Sequence, residues 1–410
     1  MASKEFFEVP RRYKNWSFGL IGVGILSLVV GFLMYGSGDD IHQKTRFWAT
    51  LLQNSLYFLL VVNASMFFIC AHTLAYSGWH LSFSRVPAAI SAAVPVIGFI
   101  ALVILLAIIF GGHNMTHIYN WTDAQAVEND PVLKGKKAFL NIPFFIIWTV
   151  LTIGLWSVLG YKMRRISLET DAAPLSVGQG KIYIWKSTVW AAIFIVWFAL
   201  TVMSTTPWLW LMSIDTHWYS TMYSWYTFAS TWVAGLSLIM LFVIYLKNNG
   251  YLEYTNREHI HDIGKYMFAF SIFWAYLWFS QFMLIWYANI PEETIYFKPR
   301  LSGTYSGIFW FSFIINFVAP LLILMTRRSK RNYATMTVMS LVIIFGHWLD
   351  FHQMIFGSVA SDRVVLNLFD FGIALGFIGI IMVVAGRVLS KYPTVAKNHP
   401  FIKESIIHHT

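Results

Sequence analysis

Residues 88–110 read AAISAAVPVIGFIALVILLAIIF, an apolar run without a single charged side chain. A helix of this length spans the hydrocarbon core of a bilayer, which needs about 20 residues. Comparable runs recur along the chain, whose residues are 57% hydrophobic, 18% aromatic and only 12% charged. The sequence therefore predicts an all-α polytopic membrane protein and excludes a soluble enzyme.

Ten transmembrane helices are predicted from these runs. The predicted spans are 16–35, 51–77, 88–110, 139–161, 182–205, 224–246, 265–287, 304–326, 332–351 and 367–389. The first span is longer than a signal-peptide core, so it is expected to remain as an uncleaved helix. Residues 1–410 are thus expected to form one integral membrane domain with short tails at both ends.

Basic residues are distributed unevenly between the two predicted membrane faces. Of the 29 Lys and Arg residues, 21 fall on the face that carries both termini, called the terminus face below, and 8 on the opposite face. Because basic loops stay on the cytoplasmic side, both termini are expected in the cytoplasm of a bacterial inner membrane. The net charge of +10 follows from this asymmetry, and no nucleic-acid partner is predicted.

No redox centre or metal site is predicted within the chain. Its single cysteine, Cys70, excludes iron–sulfur clusters and zinc sites that need several thiolates. A membrane haem needs two histidines that face each other at one depth, and no histidine falls at the centre of a predicted span. A haem held near the surface by two histidines opposite the terminus face is the less favoured alternative. Electrons are therefore expected to travel on the cofactors of partner proteins.

Titratable residues gather at the face opposite the termini. In the ninth span His347 and Asp350 are three residues apart, so they are neighbours on a helix and are expected to form a hydrogen-bonded pair. Asp350 falls at the edge of an apolar span, where a carboxylate is costly unless it is paired or functional. Glu292 follows Pro291 where the seventh span is predicted to end.

Histidines and carboxylates are the groups that quinol oxidation needs, because each departing hydroxyl proton requires an acceptor. Further candidates for a quinol region on this face are His113, His117, Asp215, His217 and His352. For each single residue of the loops, an ordinary water-facing side chain is the plainer alternative.

A polar edge runs along the second predicted span. Asn54, Ser65 and His72 are separated by nearly whole helical turns, whereas Asn63 faces another direction. This edge is expected to line a hydrated proton path that enters from the terminus face, and close helix packing is the alternative. The outward half of the path is predicted at three residues introduced above: Glu292, His347 and Asp350.

A weak internal repeat has an offset of 170 residues, since Phe47-Trp48 corresponds to His217-Trp218. Both helices enter from the same face, so residues 47–205 and 217–351 are predicted to form a parallel repeat. Its halves would be two four-helix bundles, spans 2–5 and 6–9, with spans 1 and 10 outside. In the sixth span a hydroxyl stripe of Ser220, Ser224, Thr227 and Thr231 marks either a polar path or close helix packing.

Residues 281–294, QFMLIWYANIPEET, and residues 346–350, GHWLD, carry a family resemblance. They resemble a membrane subunit of bacterial alternative complex III, in the NrfD or polysulfide-reductase membrane-subunit family, and the resemblance extends over essentially the whole chain. It implies a subunit of a quinol:cytochrome c oxidoreductase in a respiratory electron transfer chain, with two four-helix bundles.

The resemblance also implies the partners and the cofactors. The partners are a larger homologous membrane subunit, an iron–sulfur subunit, multi-haem and mono-haem c-type cytochromes, and other small membrane subunits. Haem c and iron–sulfur clusters would belong to these partners, and menaquinol or another quinone would be the substrate. The family's quinol site lies in the larger sister subunit, which leaves proton transfer or subunit docking to the polar groups of this chain.

Two other functions agree with the same sequence. A stand-alone secondary transporter also uses repeats and intramembrane polar residues. A purely structural anchor would hold redox partners at the membrane without chemistry of its own. The transporter interpretation predicts function without partners, and the anchor interpretation predicts that titratable residues matter only for assembly.

Overall fold

A computed structural model describes residues 5–112, 115–303, 305–359 and 366–409. The chain is 80% helical, and no strand occurs in these ranges. Ten of its helices are long and apolar enough to span a membrane. The predicted all-α polytopic class and the predicted number of spans are therefore confirmed.

The ten spanning helices are labelled in chain order. They are α1 Arg11–Gly36, α2 Ile41–Leu74, α3 Arg85–Gly111, α4 Ile142–Leu168, α5 Val177–Ile214, α6 Met222–Asn248, α7 Arg257–Ala288, α8 Tyr305–Leu324, α9 Tyr333–Val359 and α10 Leu368–Lys391.

Two helix ends differ from the predicted spans in a way that matters for the site. Helix α2 begins at Ile41 rather than at residue 51, and α9 ends at Val359 rather than at residue 351. Polar residues interrupt the apolar run at both ends, but Arg46 and Thr50 of α2 and His352 and Gln353 of α9 are buried in the protein and do not stop the helix. Asp350 consequently lies about 14 Å inside the end of α9, at 1.5 Å per residue, rather than at its edge.

The protein core lies between α2 and α6. In these two helices 78% and 83% of the apolar segment is buried, compared with 17–56% in the other eight. A Cβ atom at Gly235 of α6 would lie 2.7 Å from the Cβ of Ala64 in α2, so only glycine permits this approach. The hydroxyls of Thr227 and Thr231 bond to carbonyls of their own helix, which favours close packing as the role of the α6 stripe.

Eight of these ten helices, α2 to α9, form two sets of neighbours. Helices α2, α3, α4 and α5 pack each against the next, and α5 packs back against α2. Helices α6, α7, α8 and α9 show the same pattern, and α9 packs back against α6. Helix α1 packs along α10, whose Gly376 contacts Gly24. The superposition of residues 47–205 on 217–351 stays a prediction.

Both tails are folded onto the terminus face. The backbone amide of Thr394 donates to the carbonyl of Glu5 at 2.9 Å, so the segment after α10 meets the segment before α1. A short helix, Ile402–Ile406, packs beside Trp79, whose carbonyl accepts a hydrogen bond from the Ser405 hydroxyl at 2.6 Å. The C-terminal tail therefore covers the loop between α2 and α3.

Candidate functional site

The strongest candidate site surrounds Asp350 of α9, whose side chain is almost fully buried. Its Oδ1 accepts a hydrogen bond from the Tyr226 hydroxyl. Its Oδ2 accepts from the Ser230 hydroxyl at 2.9 Å and from the Trp274 indole at 3.0 Å. Helices α6 and α7 thus supply three donors to one carboxylate, which offsets the cost of placing an ionisable group in an apolar span.

His347 reaches Asp350 through a serine. Its Nδ1 lies 3.9 Å from Oδ2 of Asp350, which is too far for the hydrogen bond predicted from the sequence. The Ser230 hydroxyl bridges the two groups, 3.0 Å from Nδ1 of His347. This hydroxyl donates its only proton to the carboxylate, so it must accept a hydrogen bond from the N–H at Nδ1 of His347. A neutral imidazole protonated at Nδ1 carries its free lone pair on Nε2.

The Nε2 atom of His347 is fully buried and has no hydrogen-bond partner among the described residues. The His347 ring packs edge-on against Trp274, with 5.4 Å between the ring centroids. An imidazole acceptor therefore lies one hydroxyl away from a buried carboxylate. This arrangement suits transfer of a proton between the two groups.

Asn54 of α2 lies at the level of this site. Its Oδ1 accepts from the Trp348 indole at 2.8 Å, and its Nδ2 donates to the Thr50 carbonyl at 2.9 Å. One turn further along α9, Nδ1 of His352 lies 3.0 Å from Oε1 of Gln53. Two side-chain contacts, from Asn54 and Gln53, thus link this end of α2 to α9.

The other two residues of the predicted α2 edge lie toward the terminus face. The Ser65 hydroxyl and both side-chain polar atoms of Asn63 are buried without a hydrogen-bond partner among the described residues. His72 bonds to the Phe68 carbonyl at 2.8 Å through Nδ1. Buried polar groups without a hydrogen-bond partner are costly inside a membrane protein. Their occurrence on α2 therefore favours a role in binding water or transferring protons over simple helix packing.

A cavity of about 60 Å³ lies at the terminus-face end of α2. It is lined by His72 and, among other residues, by His80, Arg164 and His399. The rings of His72 and His80 are 4.8 Å apart. Burial lowers the pKa of His399 to about 4, with a further contribution from Arg85, and it holds the pKa of His80 well below its usual range. His80 and His399 are therefore neutral at pH 7.

The C-terminal tail is expected to loosen on acidification. The pKa of His399 is about 4 in the docked tail and 6.5 when the tail is released. Between these pH values the released tail binds a proton at His399 and the docked tail does not, so docking weakens as the pH falls. Protease cleavage within residues 396–409 should rise roughly tenfold from pH 7 to pH 5. His399→Gln should reduce this pH dependence, and the exposed His409→Gln should leave it unchanged. Equal cleavage at both pH values would contradict the assignment.

Three tyrosines lead from Asp350 toward the face opposite the termini. Tyr226 and Tyr223 have ring centroids 6.0 Å apart, and Tyr223 and Tyr296 are also 6.0 Å apart. Burial raises the pKa of Tyr296, so its hydroxyl stays protonated. The guanidinium of Arg300 lies 3.5 Å above the Tyr296 ring. The three tyrosine rings therefore lie between the buried carboxylate and the loop that connects α7 with α8.

Glu292 does not join the Asp350 group in the described part of the chain. It is exposed in the first turn of the short helix Pro291–Thr294, while its neighbour Glu293 is half-buried. Among the described residues, no hydrogen bond or ion pair connects Glu292 with His347 or Asp350. Its position at the surface leaves it as a candidate only for the exit of a path.

The loop candidates for a quinol region have different surroundings. Nε2 of His217 lies 2.7 Å from Asp130, and the side chain of His217 is half exposed. The backbone amide of His117 donates to a threonine hydroxyl at the start of α2, and Asp215 is half-buried. His113 lies outside the described residues. Within the described ranges, no cluster of three or more His, Cys, Asp or Glu residues is arranged to hold a metal ion.

Sequence reasoning missed the residues that surround the carboxylate. Tyr226 and Ser230 lie on the face of α6 beside the stripe of small hydroxyl residues, and Trp274 belongs to another helix. Tyr223, Tyr226 and Ser230 do follow a helical spacing of three and then four residues, which is the signal that could have revealed this face.

A comparison of this chain with protein-family models and with curated proteins finds no match.

Proposed function

We propose that this chain is a membrane subunit of a quinol:cytochrome c oxidoreductase, of the ActF type within the NrfD or polysulfide-reductase membrane-subunit family. It carries no redox centre itself and contributes a proton path and membrane assembly to the complex. The resemblance of residues 281–294 and 346–350 supports this proposal. The two sets of neighbouring helices support two four-helix bundles, α2–α5 and α6–α9, with α1 and α10 outside.

The proposal rests mainly on one observation: the buried carboxylate of Asp350 accepts hydrogen bonds from two hydroxyl groups. A residue that relays protons must be stable both with and without its proton, in a place that water does not freely reach. Hydroxyl donors from Tyr226 and Ser230 satisfy this need, because a hydroxyl donates to the ionised carboxylate and can turn to accept from the protonated one. A purely structural carboxylate would more commonly be paired with a cation.

The proposed path enters at the cavity beside His72 and follows α2 past Ser65. It continues at His347 and Asp350, where the Ser230 hydroxyl connects the imidazole and the carboxylate. The buried tyrosines carry it toward the face opposite the termini, with Glu292 as an exit candidate. Hydroxyl and imidazole groups suit such a relay because each accepts one proton while it releases another.

A quinol-binding region near the same face is the second candidate. His352 supports it, because this imidazole is fully buried and its Nε2 has no partner among the described residues. Gln53 lies 3.0 Å from its Nδ1, and the ring centroid of Tyr305 lies 6.3 Å from that of the imidazole. A quinol hydroxyl hydrogen-bonded to Nε2 would have a proton acceptor in place.

The proposed function also implies a membrane, an orientation and a set of partner subunits. The membrane is a bacterial inner membrane, with both termini in the cytoplasm. Haem c and iron–sulfur clusters lie in the cytochrome and iron–sulfur partners, and a larger homologous membrane subunit and other small membrane subunits complete the complex. A stand-alone transporter and a purely structural anchor are the competing functions.

Purification from native membranes tests the proposal. A C-terminal tag, mild detergent and a reduced-minus-oxidised spectrum should reveal stoichiometric c-type cytochromes and an iron–sulfur protein. Protein identification by mass spectrometry should also find a larger homologous membrane subunit. A colourless chain that purifies alone would reject the oxidoreductase and favour a transporter.

A further inference from the structure

A basic cleft of about 800 Å³ opens on the terminus face between the ends of α3, α4 and α10. Besides Arg85 and Glu169, which are both ion-paired, four cations line it: Arg164 and Arg165 from α4, and Arg387 and Lys391 from α10. These helix ends adjoin long apolar segments, so the cleft lies where the bilayer surface meets the protein.

The charge of the cleft is not neutralised by the acidic residues around it. Asp171 is paired with Arg85 at 2.5 Å, and Glu169 with Lys186 at 2.5 Å. Within the described ranges, no carboxylate is within ion-pair distance of the four cations named above. Arg164 donates one hydrogen bond to the Ser91 hydroxyl at 3.2 Å. The cleft therefore presents about four positive charges to a ligand.

The walls between these cations are apolar. Ala88 and Ala92 of α3, Leu168 of α4, and Val388 and Leu389 of α10 line the same cleft. A free anion would gain nothing from these side chains, whereas a molecule with an anionic head and hydrocarbon tails would contact both kinds of surface. Basic pockets between membrane helices are the recognised setting for anionic headgroups.

We propose that the basic cleft binds an anionic phospholipid, and specifically one that carries two phosphodiester groups. The cations come in two pairs from two helices, so each pair has one phosphate to hold. Arg387 and Lys391 are four residues apart and share a helix face. Arginine suits phosphate because its guanidinium donates two parallel hydrogen bonds. This proposal does not depend on the proposed function.

Lipid binding to the protein purified in its complex tests the proposal. The wild-type protein should retain about one diphosphatidylglycerol per chain after mild extraction, measured by native mass spectrometry. In nanodiscs of phosphatidylcholine, Arg387→Gln/Lys391→Gln should bind added diphosphatidylglycerol about thirtyfold more weakly. This factor corresponds to about 2 kcal/mol, or 1 kcal/mol per cation near a membrane surface.

Matched variants separate charge from folding. Lys181→Gln/Lys403→Gln removes two exposed cations from the same face outside the cleft and should bind as the wild type does. Arg387→Lys/Lys391→Arg keeps the charge and should also retain binding. Equal binding by the neutral cleft variant and this control would overturn the proposal, as would loss of binding in the charge-retaining variant.

Two probes distinguish the ligand class. Phosphatidylglycerol, with one phosphodiester, should bind more weakly than diphosphatidylglycerol, and equal affinities would overturn the two-phosphate assignment. Inorganic phosphate should not displace the lipid at millimolar concentration. Displacement by phosphate, or an acidic protein segment cross-linked to the cleft in place of lipid, would show that the occupant is not a phospholipid.

Discussion

Asp350→Asn is expected to lower quinol-dependent cytochrome c reduction by roughly a hundredfold, the range in which a lost proton-transfer group acts. The substituted side chain keeps the size of the original and one oxygen for the Tyr226 hydroxyl. It cannot gain or lose a proton at neutral pH. The complex should therefore assemble with its full set of cytochromes while turnover falls.

The measurement compares steady-state turnover per haem in the wild-type and variant complexes. His347→Ala should lower turnover in the same direction, and the double variant should lose little more than Asp350→Asn alone. The reason is that Ser230 couples the imidazole to the carboxylate, so both residues belong to one relay. Normal turnover in both single variants would remove these residues from the mechanism.

The same variants separate the competing functions. An anchor without chemistry predicts that Asp350→Asn affects activity only as far as assembly is reduced. A stand-alone transporter predicts that the defect appears in the isolated chain in liposomes, without any cytochrome. The relay predicts full assembly, slow turnover and slow proton release in the same preparation.

The sequence predicted the helices well because hydrocarbon imposes a length and a composition on every span. It misplaced helix ends where polar residues find partners on other helices. Arg46 and Thr50 precede the predicted start of the second span, yet both bond to Asp370 on α10 inside the protein. Apolar runs in the sequence carry no information about such partners.

The sequence predicted one pair of residues in the candidate site, but not the residues that surround it. His347 and Asp350 are neighbours because of the helical repeat, which any reader of the sequence can apply. The serine that connects them is 120 positions away from Asp350 in the chain, and the Trp274 donor is 76 positions away. Their arrival at one carboxylate depends on how α6, α7 and α9 pack, which local spacing does not determine.

Asp370→Asn is expected to destabilise the protein without slowing the complex that remains folded. Its Oδ2 accepts hydrogen bonds from Arg46 at 2.8 Å and from the backbone N–H of Asn367 at 2.9 Å, and its Oδ1 accepts from Thr50 at 2.7 Å. The carboxylate is completely buried. The amide would remove the negative charge that the Arg46 guanidinium contacts, at a cost of about 3–5 kcal/mol.

Thermal unfolding in detergent measures this cost, and the midpoint should fall by roughly 5 °C or more. Asp39→Asn, which changes an exposed aspartate on the same face, should leave the midpoint unchanged. An unaltered midpoint for Asp370→Asn would show that water screens the ion pair. Turnover per haem in the surviving complex should match the wild type, in contrast to Asp350→Asn.

Removing both charges should restore most of the lost stability. In Arg46→Met/Asp370→Asn both charges of this ion pair are removed together, and the asparagine oxygen can still accept the hydrogen bond from Thr50. If the double variant is as unstable as Asp370→Asn, the pair holds α2 and α10 through its specific geometry rather than through charge balance. Asp370 and Asp350 are both buried carboxylates with several donors, but among the described residues a cation is paired with Asp370 and none with Asp350. We therefore expect Asp370 to act as a structural link between α2 and α10, whereas Asp350, which accepts hydrogen bonds from two hydroxyls and an indole, belongs to the proposed proton relay.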